Sequence, residues 1–259
     1  MRLLSTIRTT HADAPEPMAM PLGGHLREIR RRMSIVLVAM AVSGVLAFVA
    51  YPAILHALEA PYCRVSAHCR LYVTGPLDGL SLRIKIAAYS ALALSAPVIF
   101  WQAWRFIAPG LTKKEKRSTL PFVVVSVVMF LAGVALAYAV FPHALTFLDS
   151  VGGPSLGQLY NPVSYLSLIL ALMLVFGVTF EFPVVLVALQ LTGVLTPSQL
   201  SKVRRWAIVG IVTVAAVITP SGDPLSMLAL AVPLYAFYEI AILIGRLARR
   251  RSARVAATS

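Results

Sequence analysis

The sequence predicts an all-α integral membrane protein of six transmembrane helices, with both termini in the cytoplasm and the last two helices short. Three observations carry this. The 259 residues are 59% hydrophobic and 13% charged, with a mean hydropathy of +0.82, a balance far too apolar for a soluble domain of this length. Six apolar runs recur along the chain, and four reach the ~20 residues that cross a hydrocarbon core of about 30 Å. Nineteen of the 23 Lys and Arg residues fall before the first run, in or at the edge of the second and fourth connections, or after the last run. The positive-inside rule places those segments in the cytoplasm.

The elements follow in chain order. Residues 1–20 hold no apolar core of signal-peptide length and read as a mobile tail, so the first span, Met33 to Leu58, is an uncleaved anchor. Ahead of it Leu22, Leu26, Ile29 and Met33 form one stripe, which suggests a segment lying along the membrane. Glu28 precedes Arg32 by one helical turn, the spacing of a surface ion pair worth only ~0.2–0.5 kcal/mol. Span two runs from Ile84 to Ile107 and span three from Leu120 to Phe147; between them Thr112-Lys113-Lys114-Glu115 is a capping box. Span four, Pro162 to Leu191, starts at an Asn161-Pro162 cap. Span five, Trp206 to Ile218, is about 20 Å of helix, so its flanks must extend it or the bilayer must thin. Thr196-Pro197-Ser198-Gln199 is a capping box ahead of it, and Asp223-Pro224 starts span six, Leu225 to Ile244.

Charge decides the count. Removing either short span would send Arg246, Arg249, Arg250, Arg251 and Arg254 outside, so six spans are favoured over five. The four exceptions, Arg64, Arg70, Arg83 and Lys85, lie between spans one and two or at the first turn of span two, where a structured external loop can hold them. The organisation is thus a tail (1–20), a membrane domain (21–246) and a basic cytoplasmic tail (247–259). Pro97 and Pro233 predict kinks in their helices.

Few polar residues lie inside the spans. Glu181, in Phe180-Glu181-Phe182-Pro183, would cost at least ~2.5–3.5 kcal/mol if ionised at the membrane centre, and Pro183 frees the carbonyl of Thr179. Glu181 is either satisfied within the bundle, by Thr179 or a neighbouring helix, or is a polar contact for a partner helix or a passing chain. Glu239, seven residues before Arg246, can reach the cytoplasmic interface. Cys63 and Cys69, the only cysteines, fall in the first external loop, where a disulfide is chemically permitted. Their spacing leaves both a bridge and a reduced pair open.

Catalysis has little support. There is no Gly-x-Ser-x-Gly, no HExxH, and no second intramembrane Asp to accompany Ser221-Gly222-Asp223. No metal or cofactor site is expected, and the basic residues lack the interleaved aromatics of a nucleic-acid surface. A secondary transporter of a small solute is the rival reading, since Pro-interrupted helices and buried carboxylates are its parts, although no repeat relates the two halves.

Several motifs, taken together, resemble one family. His25-Leu26-Arg27-Glu28-Ile29-Arg30-Arg31-Arg32 is similar to the HLxELRxR signature of TatC, the multispanning core subunit of the twin-arginine protein translocase. Trp104-Arg105-Phe106-Ile107-Ala108-Pro109-Gly110-Leu111 through Glu115-Lys116-Arg117 resembles its first cytoplasmic loop, and Phe180-Glu181-Phe182-Pro183 its fourth-span motif. Thr219-Pro220-Ser221 with Asp223-Pro224, then Pro233-Leu234-Tyr235 with Tyr238-Glu239, resembles its last hairpin. Ile29 and Asp78 depart from the common Leu and the frequent Glu, and Met227 occupies a site that is polar in some members.

The resemblance implies a receptor and scaffold in the bacterial cytoplasmic membrane, forming homo-oligomers within a larger complex. It would bind twin-arginine signal peptides of folded cargo and recruit single-span TatA- and TatB-type partners for passage driven by the proton gradient. It further implies that Glu28 and Glu115 contact the arginine pair, with Phe106 and Arg30 beside them. Glu181, Pro183, Asp223, Met227 and Glu239 would serve partner-helix contact or transport. Physically, a carboxylate can take a guanidinium in a bidentate, charge-assisted pair, which favours Arg over Lys. A strongly basic face repels a cationic ligand at range, so specificity must come from local carboxylate geometry and apolar contact.

Overall fold

The computed structural model describes residues 22–65, 71–107, 119–152 and 160–258, and among them every regular element is a helix. The order is α1 (Leu22–Val49), α2 (Tyr51–Cys63), α3 (Asp78–Ile107), α4 (Thr119–Gly152), α5 (Pro162–Thr179), α6 (Phe182–Leu191), α7 (Pro197–Lys202), α8 (Arg204–Ile218) and α9 (Pro224–Thr258). Five helical stretches are long and apolar enough to cross a membrane: Leu26–Val49, Asp78–Phe106, Leu120–Gly152, Pro162–Leu191 and Pro224–Arg249. The expected fifth span is α8, whose 15 residues make about 22 Å of helix, short of the hydrocarbon thickness.

Proline chemistry corrects the first span. The run Met33 to Leu58 is two helices, because Pro52 enters α2 at its first turn, lacks an N–H, and frees the carbonyl of Phe48. Arg83 answers that break: its Nη2 donates to the Phe48 carbonyl at 3.4 Å, and its guanidinium lies 4.3 Å from the Phe48 ring centroid and 5.2 Å from that of Tyr51. Pro61 repeats the effect inside α2, where the freed Ala57 carbonyl accepts the Tyr138 hydroxyl of α4 at 2.8 Å. Lys85 donates to Ser167 of α5 at 2.8 Å. Two of the four cations that the charge rule leaves as exceptions therefore have structural partners.

Local caps form as the residues dictate. Asn161 accepts from the amides of Val163 and Ser164, and Thr196 with Gln199 closes both halves of its capping box. Asp223 accepts the Ser226 amide at 2.6 Å, and Asp78 gathers the Gly75 amide at 2.9 Å and the Asn161 side chain at 3.0 Å, tying two connections together. The Thr112 box lies outside the described residues. Helices α3 and α9 run unbroken through Pro97 and Pro233. The stripe from Leu22 to Met33 is the start of the spanning helix α1 rather than a separate segment along the membrane. The backbone of α9 continues helically to Thr258.

The core is built on α4 and α5, which cross at two glycines. A Cβ at Gly133 would lie 2.5 Å from the Phe176 carbonyl oxygen, and one at Gly177 would lie 2.7 Å from the Phe130 ring. Small residues let helices approach closely where lipid offers no hydrophobic drive between them. Gly133→Leu is expected to cost at least the ~1–3 kcal/mol of core overpacking, because backbone cannot yield as a side chain can. The fraction of monodisperse protein surviving a thermal ramp in detergent checks it, with Gly210→Leu, which meets open space, as the tolerated control. Helix α1 packs chiefly along α3, and α8 along α9, so both leave apolar faces such as Leu37, Val42, Val209 and Val217 uncovered.

Candidate functional site

One end of the bundle gathers the start of α1, the end of α3, the start of α4 and the end of α9. There Arg32 is the central side chain. It pairs with Glu28 one turn earlier on α1, its Nη1 donates to the Gln102 carbonyl of α3 at 3.1 Å, and its guanidinium lies 5.9 Å from the Phe106 ring centroid. The Glu28 side chain is 41% exposed against 17% for Arg32. A carboxylate and an aromatic face on adjacent helices thus already hold one guanidinium between them, the combination that suits a planar cation. Arg30 projects an exposed side chain from the same helix. Glu115 lies outside the described residues.

Deeper along the bundle, span four breaks at Glu181. Helix α5 ends at Thr179, α6 begins at Phe182, and Pro183 sits in the first turn of α6. The Thr179 hydroxyl donates to its own helix at Val175, 2.6 Å, so it is not the partner of Glu181. Ser126 of α4 is the polar side chain that interacts with the Glu181 carboxyl. Ser126 in turn accepts the indole N–H of Trp104, from the end of α3, at 2.8 Å. The Glu181 Oε1 atom is buried with no hydrogen-bond partner among the described residues. Beside the break, α4, α6 and α9 enclose an apolar groove of about 390 Å³, lined by Phe122, Val125, Pro183, Val184, Phe237 and Ile240 among others.

Glu239 is tied across the last hairpin. Arg204 at the start of α8 donates to it at 2.7 Å and the Tyr235 hydroxyl at 3.1 Å, while Tyr238 donates to the Leu200 carbonyl of α7 at 2.7 Å. Asp223 and Met227 belong to the other end of α9, about 24 Å and about 18 Å of helix away from Glu239. Asp223 is fully buried in its capping role, accepting the Ser221 hydroxyl as well, and Met227 packs against the core. The structure therefore does not bring Asp223 and Met227 to Glu239 or Glu181. Among the described residues no cluster of three His, Cys, Asp or Glu side chains could hold a metal.

Cys63, at the end of α2, is disulfide-bonded; Cys69 lies outside the described residues. Mass-tag alkylation should leave the denatured chain unmodified until it is reduced, and then add two tags. Tagging before reduction would contradict the bridge.

Ser126, Trp104 and Arg204 are the side chains that residue-by-residue reading did not assign to these carboxylates. Ser126 carried a signal, as the one hydroxyl in Pro121-Phe122-Val123-Val124-Val125-Ser126-Val127-Val128.

The family model described as Sec-independent protein translocase protein (TatC) matches residues 24–233. The chain belongs to the TatC family. It is 39% identical over its whole length to the Sec-independent protein translocase protein TatC of Frankia casuarinae, covering 74% of that protein. It is 36% identical over 91% of its length to the TatC of Aquifex aeolicus, covering 99% of it. A crystal structure of the twin arginine translocase receptor TatC superposes with a TM-score of 0.73 at 36% identity, covering 87% of this chain and 99% of that one. A second crystal structure of the receptor, in the detergent DDM, gives 0.73 at 34% identity over 85% and 99%. The TatC assignment displaces the small-solute transporter reading, and the Glu28 motif and the Glu181 break both lie inside the matched region.

Proposed function

We propose that this TatC-family chain is the receptor and core scaffold of the twin-arginine translocase in a bacterial cytoplasmic membrane. It binds twin-arginine signal peptides through Glu28 and Glu115, with Phe106 and Arg30 alongside, and recruits single-span TatA- and TatB-type partners. The observation that carries this reading is Arg32, a guanidinium seated on Glu28 near the Phe106 ring. An incoming arginine can take the same place, because Glu28 is the more exposed member of the pair. Six helices cross the bilayer with both termini cytoplasmic, α8 being completed by its flanks. Support comes from charge: Arg204, Arg205 and Lys202 before α8 and Arg246 and Arg249 near the end of α9 fall on one side only if α8 crosses.

Glu181, Pro183 and the adjacent groove form the contact for a partner helix or the response to the proton gradient. Glu239 holds α8 to α9 through Arg204, which keeps the last hairpin in register for the same partners. Asp223 and Met227 contribute at the far end of that hairpin, and copies of the chain assemble within the larger complex. The purified chain in vesicles should move neither cargo nor a small solute alone. Cargo uptake should appear when TatA- and TatB-type proteins, a twin-arginine cargo and a proton gradient are supplied. Solute flux by the chain alone would overturn the scaffold reading.

A further inference from the structure

The basic end of the spanning stretch Pro224–Arg249 borders two adjoining cavities. The first, about 290 Å³, lies between α7 and α9 and is lined by Pro197, Ser198, Ser201, Arg246 and Arg249. The second, about 280 Å³, shares Arg246 and adds Arg204, Glu239, Ile240 and Leu243. Each is far larger than the ~10–15 Å³ that seats one water. Their walls are fixed by contacts that leave Arg246 and Arg249 out. Tyr238 of α9 donates to the Leu200 carbonyl of α7 at 2.7 Å, and Gln190 of α6 donates to the Ala241 carbonyl of α9 at 2.9 Å. Gly245 completes the approach, since a Cβ there would collide with Gln190 and lie 3.0 Å from Pro197. Arg246 and Arg249, three residues apart, share one face of α9.

Charge and hydropathy together select the occupant. Among the described residues Glu239 is the one carboxylate lining either cavity, and Arg204 holds it at 2.7 Å. Arg246 and Arg249 are exposed and make no ion pair among the described residues. Three guanidinium groups against one carboxylate leave two positive charges in excess, which calls for an anion. The surroundings call for an amphiphile. Leu243 in the second cavity is 54% exposed, and Trp206, two residues after Arg204, is 66% exposed, as suits a side chain at a membrane–water interface. A soluble anion gains nothing from those apolar surfaces, whereas a lipid gains from both halves.

We propose that α7, the start of α8 and the end of α9 form a binding site for an anionic phospholipid. Arg246 and Arg249 take its phosphate in the first cavity, in the charge-assisted geometry that guanidinium and phosphate share, and its acyl chains leave past Ile240 and Leu243. Basic pockets between spanning helices suit acidic headgroups in this way. Because Arg204 neutralises Glu239, the carboxylate does not repel the phosphate. The site uses other side chains than the Glu28 end of α1 and holds whether or not Glu28 reads a signal peptide.

The test uses the full chain, delipidated in detergent and titrated with phosphatidylglycerol or phosphatidylcholine, with bound lipid read by native mass spectrometry. Phosphatidylglycerol should bind about tenfold tighter or more. Arg246→Gln and Arg249→Gln should each weaken it about fivefold, and together about thirtyfold, the effect of one basic side chain apiece at an anionic lipid surface. Arg27→Gln with Arg31→Gln removes the same charge from exposed positions on α1 and should stay within about twofold. Inorganic phosphate in hundredfold excess should leave the lipid bound.

Equal affinity for the two lipids, or an equal loss in the Arg27 and Arg31 variant, would overturn the site. Displacement by inorganic phosphate would do so too, by making it a site for the free anion. A second measurement needs no variant to fold. In the parent, phosphatidylglycerol with a photoreactive group beside its headgroup should label Pro197–Lys202 or residues 243–249, and labelling spread evenly over the other helix ends would contradict the placement.

Discussion

Glu181→Ala is expected to reduce cargo transport to about a tenth of the parent or less while leaving signal-peptide binding intact and the fold as stable as before. The two halves of that expectation come from different physics. An intramembrane carboxyl is expensive to keep, and here its Oε1 has no partner among the described residues, so the desolvated acceptor that truncation removes offsets the loss of its interaction with Ser126. Stability should hold or rise slightly. The apolar groove beside Pro183 and Val184 should then accept a partner helix with no polar anchor. Without one charge-assisted hydrogen bond, worth ~1.5–3 kcal/mol, the docking equilibrium weakens about 10- to 150-fold. Cargo uptake into vesicles, peptide crosslinking and a melting curve on the same variant separate these effects. Normal transport with intact peptide binding and partner recruitment would reduce Glu181 to a structural residue.

The second large effect is at the other carboxylate. Glu28→Gln should weaken twin-arginine peptide binding by about 10- to 100-fold, the loss of one charge-assisted pair. The local competitor makes a prediction of opposite sign available. Arg32 occupies Glu28 and also ties α1 to α3 through the Gln102 carbonyl, so Arg32→Gln should tighten peptide binding up to about twofold while loosening the α1–α3 packing. An i, i+4 pair is worth only ~0.2–0.5 kcal/mol at an exposed site, which an arriving arginine with apolar neighbours can displace. Weaker binding in Arg32→Gln would mean that Arg32 belongs to the receptor surface and is no stand-in for the ligand.

What was legible in the sequence was local. The Asn161, Thr196 and Asp223 caps, the Glu28–Arg32 pair and the all-helical membrane class each depend on residues within a turn of one another or on summed composition, and all are present. The break at Pro52 was equally local but was hidden by an apolar run that reads as one span. The partners of the two inner carboxylates were not legible. Whether Glu181 meets Thr179 or Ser126 depends on how α4 turns against the α5–α6 break, and whether Glu239 meets solvent or Arg204 depends on how α8 packs on α9. The first rotation is set by close approach at Gly133 and Gly177, which spacing along the chain does not encode. The TatC resemblance supplied the site residues that geometry alone would have left as caps and ion pairs.

The central claim is that a carboxylate on α1 reads the arginines of a signal peptide. The most direct measurement is equilibrium binding of a twin-arginine peptide and its twin-lysine counterpart to the parent chain and to Glu28→Gln, in nanodiscs and at fixed salt. The parent should prefer arginine markedly, through the bidentate pair that lysine cannot form, and that preference should collapse in Glu28→Gln with lysine-peptide binding little changed. An undiminished arginine preference in folded Glu28→Gln would contradict it.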